Sequence, residues 1–204
     1  MNILALGAHP DDLEYGCGGT LIKYSTAGHN VYLLIMSEGE MGGKGNIRKA
    51  EQMKSAKIIN VKKVFWGGFK DTKLQINKYV ISKIERILSQ IEPDFIFTPY
   101  FDDTHQDHRN LSRATISATR YIRNVLFYEA PTTQNFTPNV YVDISTVFDG
   151  KISTLKTHES QVNKTNIEGL NIIEIATSTA TFRGVQARVK YAEGFNSLRL
   201  FINI

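Results

Sequence analysis

Short apolar runs rich in β-branched and aromatic residues alternate along this chain with longer stretches whose apolar positions recur at helical spacing. That alternation predicts an α/β fold: a single-domain, Rossmann-like, mostly parallel sheet flanked by helices. Strands are expected at 3–7, 31–36, 64–66, 95–98, 125–128 and 140–144. The clearest helix precedes the fourth strand. There Ile76, Val80, Ile84, Ile87, Leu88 and Ile91 share one face, while Lys78, Lys83, Glu85 and Arg86 take the wet one. Pro93 stops it and Asp94 leads into the strand. A second long helix is expected over 167–192, broken near Gly184. No repeat, low-complexity segment or linker divides the 204 residues, so one domain is expected over 1–204.

This arrangement determines where chemistry can gather. In open α/β sheets, ligands collect beyond the carboxyl ends of the parallel strands. Residues 9–12 follow the first strand, 37–45 the second, 67–71 the third and 100–108 the fourth. Four polar loops are therefore expected around one crevice. Segments on the opposite edge, such as 59–61 and 91–94, read as plain connectors.

Two of the four loops carry ligand-forming clusters, Ala8-His9-Pro10-Asp11-Asp12 and His105-Gln106-Asp107-His108. A catalytic zinc site usually takes three protein ligands and leaves a position for water. His9 and Asp12 sit three apart in a tight turn and can face one point, with Pro10 biasing His9 toward extended backbone. The third ligand should be His105 or His108. His108 opens the helix carrying Asn110, Leu111 and Ala114 and is the better held, so the metal set is read as His9, Asp12 and His108. Asp11 is then free as general base for the activated water. His105 is left for oxyanion or leaving-group work, and Asp107 can orient an imidazole from behind. Zinc is the expected cofactor, although two histidines and a carboxylate also suit iron or cobalt.

Plainer readings exist for each piece. A lone His-Pro-Asp-Asp is often a turn with a helix-capping aspartate. His29 reads as a surface turn residue, and His158 as a structural residue on a helix. Gly16, Gly18 and Gly19 lack a dinucleotide fingerprint, so they are expected to permit close backbone packing beneath the metal loop. Both clusters at strand ends, in a chain with five histidines, outweigh the separate bland readings.

Composition narrows the partners. The net charge of +4 is spread out, and its densest patch, 54–63, reads as a solvated helix and turn, so no nucleic-acid partner is expected. The single cysteine, Cys17, allows no internal disulfide and suits a reducing compartment. The start lacks the basic region of a signal peptide, and no apolar run reaches the roughly 18 residues of a membrane span. A cytoplasmic location is expected.

At these residues the chain resembles the PIG-L (LmbE-like) family of zinc-dependent N-deacetylases. The first cluster, followed by Leu13-Glu14 and the glycines, matches the family's N-terminal motif, and His105-Gln106-Asp107-His108 matches its second, with Gln106 as a departure. The likeness extends through Arg48 and Glu51, Gly67-Gly68 with Asp71, and on to Ser160-Gln161 and Phe195. It implies zinc ligands at His9, Asp12 and His108, Asp11 as base, and His105, backed by Asp107, at the oxyanion. It further implies sugar contacts from Arg48, Asp71 and Glu40, an amino-sugar substrate, and the homo-oligomers that family members often form. Asp103 stands where some members have a tyrosine, so that tyrosine's acid role does not transfer. The implied activity is removal of acetyl from an N-acetylglucosamine-type group. The alternatives are a metal-dependent phosphoesterase and a non-catalytic glycan-binding protein of the same fold.

Overall fold

The computed structural model describes residues 1–202. Seven strands form one sheet: β1 (Asn2–Gly7), β2 (Asn30–Ser37), β3 (Lys63–Phe69), β4 (Phe95–Pro99), β5 (Val125–Tyr128), β6 (Val140–Asp143) and β7 (Ala192–Arg199). Their spatial order is β3-β2-β1-β4-β5-β7-β6. The first five are parallel, and β7 runs antiparallel to β5 and β6. The chain builds leftward from β1 through β2 to β3, then crosses back to lay β4 on the other side of β1. That reversal is the topological switch point, where two neighbouring strands send their loops apart and leave a crevice.

The period-two pattern of β1 sorts the core into two layers. Ile3 and Ala5 pack with Val31, Leu33, Ile35 and Phe97 beneath α2 (Gly18–Thr26) and α3 (Gly45–Ile59). Leu4 and Leu6 pack with Leu34, Met36 and Ile96 beneath α4 (Lys78–Ile91) and α5 (Gln106–Ala118). In α4, Val80, Ile84, Ile87, Leu88 and Ile91 are buried as expected, and Asn77 caps the start by accepting from Val80 N at 3.0 Å. Ile76 lies before the helix and is exposed.

The C-terminal third departs from expectation. The helix α7 runs Ile172–Ala187, and residues 192–199 form a strand instead. A capping box fixes its start: Asn171 Oδ1 accepts from the Ile173 and Glu174 amides, and Glu174 accepts from Asn171 N. Arg188, in left-handed backbone at φ 63°, ends it. The helix passes through Gly184 unbroken. A Cβ there would lie 2.5 Å from the Lys190 carbonyl, so the glycine lets the returning chain close against the helix. The β7 signal was masked because Glu193 points inward. Its carboxylate accepts from Gly19 N (2.9 Å), Thr20 N (2.7 Å) and Lys151 Nζ (2.6 Å), capping α2 from across the sheet.

Residues after the first cluster are helical, forming the one-turn α1 (Asp12–Gly16) and then α2, with α6 (Phe148–Lys156) packed beside them. Gly16 and Gly19 serve the close packing expected of them: a Cβ would overlap the Tyr128 ring at Gly16 and come within 2.8 Å of Ile144 at Gly19. At Gly18 the nearest atom is an ordinary 3.5 Å away. Gly16→Ala is therefore expected to cost about 1–3 kcal/mol, read as a lower urea midpoint, with Gly18→Ala falling much nearer the parent.

Candidate metal centre

The first cluster leaves β1 into a turn that is tied to its own backbone. The amides of Ala8 and His9 donate to Asp12 Oδ2 at 2.8 and 2.9 Å. This locks the Asp12 carboxylate and leaves Oδ1 facing the second cluster. Asp11 adopts φ 95°, unusual for a residue with a side chain, and its carboxylate makes no capping bond to α1. The helix-cap reading of that aspartate therefore does not hold.

The second cluster sits where β4 gives way to α5. His105 is the N-cap: its Nδ1 accepts from Asp107 N at 3.2 Å. That bond makes Nε2 the proton-bearing nitrogen of the neutral ring. His108, one turn in, brings Nε2 to 3.2 Å from Asp12 Oδ1. The loops of adjacent strands thus bring His9, Asp12, His105 and His108 together. Ring centroids of His9 lie 4.6 Å from His105 and 5.4 Å from His108.

Behind the histidines stands a row of buried carboxylates. Asp103 Oδ2 is 3.2 Å from His108 Nδ1, and Asp71 Oδ1 is 3.0 Å from His9 Nε2. Asp107 Oδ2 accepts from Thr72 N at 2.7 Å and lies 3.5 Å from His9 Nε2, so it backs His9 rather than His105. Asp103 was not expected to matter. It also accepts from His105 N (2.8 Å) and Thr133 Oγ1 (2.9 Å), and the aspartate two residues before His105 was the available signal.

These charges shift one another. Burial works against a charge on His108, but Asp12 and Asp103 outweigh it and push its pKa up to about 9. Burial is likewise overcome at His9, held well above its usual value by Asp107, Asp12 and Asp71. Burial also opposes ionisation of Asp12, yet His108 and His9 keep its carboxyl well below the usual range. At His105 burial and its two charged neighbours act together and lower the pKa, so the ring is neutral. Burial raises Asp11, with Arg48 opposing it.

A field that favours protons on two imidazoles favours a divalent cation among them. The donor set fits one. Ring nitrogens of His9, His105 and His108 lie within 4.8 Å of one another, as do donor atoms of His9, Asp71 and Asp107. With His9 Nε2 turned to Asp71 and Asp107 and His108 Nδ1 to Asp103, the nitrogens on the Asp12 side are His9 Nδ1, 3.6 Å from Oδ2, and His108 Nε2, 3.2 Å from Oδ1.

The site opens into a cavity of about 730 Å³ whose wall includes His9, Asp11, Asp12, Arg48, Asp71 and both second-cluster histidines. Arg48 is buried and engaged, donating to Gly39 O (2.7 Å), Pro10 O (2.7 Å) and Asp11 Oδ2 (3.0 Å). Glu40 is exposed and stands off the wall, accepting from Asp71 N at 3.0 Å. His158 lies in a turn beyond α6 rather than on a helix; it is buried on the cavity wall, 3.5 Å from Glu14 Oε2.

Fold and site together define an α/β protein with a histidine–carboxylate cation site at its sheet's switch point. The chain belongs to the PIG-L family: the family model described as GlcNAc-PI de-N-acetylase matches residues 4–119. It is 35% identical to a protein named uncharacterized deacetylase YaiS from Escherichia coli, over 78% of this chain and 90% of that one. It is 30% identical to the diacetylchitobiose deacetylase of Thermococcus kodakarensis, over 78% of this chain and 69% of the relative. The solved N,N'-diacetylchitobiose deacetylase of Pyrococcus horikoshii superposes with a TM-score of 0.86 at 27% identity, covering 97% of this chain and 83% of that one.

Removing a carboxylate that braces a metal-bound histidine typically costs 10–100-fold in metal affinity. Asp103→Asn is expected to weaken metal retention by about that factor in chelator competition. His108→Ala should lose the metal outright; full occupancy there would assign the third ligand elsewhere.

Proposed function

We propose that this chain is a metal-dependent N-deacetylase that hydrolyses the acetamido group of an N-acetylglucosamine-type sugar or sugar conjugate. The observation that carries the reading is an uncapped carboxylate, Asp11, beside the cation-seeking cluster in the wall of one large cavity. The activities named for the chitobiose-acting relatives support the substrate class.

Zinc is the cation assigned, held by His9, Asp12 and His108; when bound, it would acidify water and polarise the acetamido carbonyl. Asp11 takes a proton from the water as its oxygen attacks the amide carbon. A carboxyl raised by burial is a stronger base than a solvated one, which suits that task. His105 donates from Nε2 to the carbonyl oxygen as charge builds there, an interaction worth about 3 kcal/mol in comparable sites. Protonated Asp11 then gives its proton to the sugar nitrogen as the C–N bond breaks, leaving acetate and a free amine. Asp103 braces His108; Asp71 and Asp107 brace His9. Arg48 and Asp71 line the cavity and are assigned to the sugar as well, with Glu40 acting through Asp71. Among the described residues no helix is long and apolar enough to cross a membrane. The cytoplasm is the compartment assigned, since the lone cysteine, Cys17, is buried and free.

Acetate release from a panel of N-acetyl sugars tests the proposal, a metal-to-protein ratio of two or phosphate-ester hydrolysis favouring the phosphoesterase. Asp11→Asn is expected to keep its metal while kcat falls about 10²–10⁴-fold. Arg48 favours the ionised form of Asp11, so Arg48→Met should raise the Asp11 pKa. Turnover needs that carboxylate ionised, and the acid limb of kcat/KM should therefore move to higher pH. A raised KM with an unmoved limb would confine Arg48 to the sugar.

A further inference from the structure

The cavity has two unlike walls. The chemistry lines one, from residues inside the family match at 4–119. The other comes from the end of α6 and the chain beyond it, where Leu155, Ile167, Leu170, Ile172 and Ile175 line the same space. Leu170 and Ile172 are half-buried, Ile167 is 56% exposed, and Tyr15 and Leu155 pack with Ile172 and Ile175 in one apolar cluster. At about 730 Å³ the cavity is of the size that encloses a drug-sized ligand, more than one amino sugar fills.

Among its lining residues the second wall carries one lysine, Lys164. That lysine is exposed and donates to the Gly42 carbonyl, while Arg48 stands on the opposite wall among Gly39, Pro10 and Asp11. At an exposed edge and screened by water, the Lys164 ammonium adds little for a carboxylate or phosphate substituent. An uncharged apolar group, by contrast, gains from every part of it that the isoleucines cover.

Resting on the deacetylase reading, we infer that the amino sugar carries an uncharged apolar substituent, alkyl or aryl. It occupies the wall formed by Leu155, Ile167, Leu170, Ile172 and Ile175 while the acetamido group faces Asp11. This subsite decides which conjugate is processed. Its position on the part of the chain around the start of α7 lets selectivity change without touching the reacting groups.

The test compares kcat/KM for acetate release from the methyl, octyl, phenyl and malyl glycosides of N-acetylglucosamine. Octyl and phenyl are expected to exceed methyl by about tenfold or more, with malyl no better than methyl. Ile172→Asp should bring the octyl-to-methyl ratio to near one. An acidic residue is favourable at that first helical position, so the fold is kept. Ile167→Ser, at an exposed site, is a second variant expected to lower the ratio. Equal rates across the panel, a preference for the malyl glycoside, or an unchanged ratio in both variants would overturn the subsite. Should none of the four lose its acetyl group, the deacetylase reading falls. Calorimetry with octyl and methyl glycosides on the same metal-loaded protein still decides the subsite: octyl binding tighter by about tenfold supports it, and equal Kd values overturn it.

Discussion

Four buried carboxylates, Asp12, Asp71, Asp103 and Asp107, face two buried imidazoles, His9 and His108, across a few ångströms at the end of the central strands. Charges taken out of water are tolerated only when compensated and hydrogen-bonded. Here part of the compensation is backbone: Ala8 and His9 amides on Asp12, Met41 on Asp71, Thr72 on Asp107, His105 on Asp103. What remains is an excess of negative charge that only positive charge within the cluster can offset. The loops that supply those amides come from β1, β2, β3 and β4. The electrostatic demand therefore fastens four separate crossovers to one point.

The fold makes that point available because β1 and β4 are neighbours, with Ile3 opposite Phe95 and Ala5 opposite Phe97. Parallel pairing places the ends of both strands on the same side, so residues 9–12 and 103–108 emerge side by side although ninety-odd positions separate them. Each cluster then closes on its own helix start. Asp12 opens α1 and His105 caps α5, so local backbone geometry sets which side chains turn inward. Asp11, between a strand end and a helix start, is left in strained backbone with its carboxylate uncommitted to the cap.

The parallel half of the sheet was legible because β1, β2, β4 and β5 are nearly continuous apolar runs largely buried on both faces, whereas the edge strand β3, partly exposed and carrying two glycines, was legible only over 64–66. The two clusters were legible because histidine and aspartate seldom crowd together at a strand end for structural reasons alone. What escaped was whatever depended on partners distant in sequence. β7 carries one large buried apolar residue, Phe195, and an inward Glu193 whose purpose appears only once α2 and Lys151 are beside it. Asp103 reads as a loop residue until His108 turns its Nδ1 toward it. His158 reads as helical and inert, whereas it closes the cavity wall through Glu14, itself held by Gln52 and Ser55 at 2.6 Å each. In each case a buried polar group satisfies a charge on another element, and periodicity says nothing about that.

A division of labour follows from the order of the chain. The residues given chemical roles lie between His9 and His108, on strands whose packing is shared by both core layers. Any shift there would disturb the carboxylate row, the metal donors and Asp11 together. The far wall is built differently: Ile167, Leu170, Ile172 and Ile175 flank a capped helix start, and Leu155 of α6 packs with Tyr15 beside them. Substitutions at Ile167, Leu170, Ile172 and Ile175 change the shape and polarity offered to a substrate without altering what faces the acetamido group, whereas His158 in the same stretch bears on Asp11 through its charge. A rigid reacting wall opposite an independently variable one is the arrangement by which one amide-cleaving centre can serve differently decorated sugars, and here the variable wall is apolar.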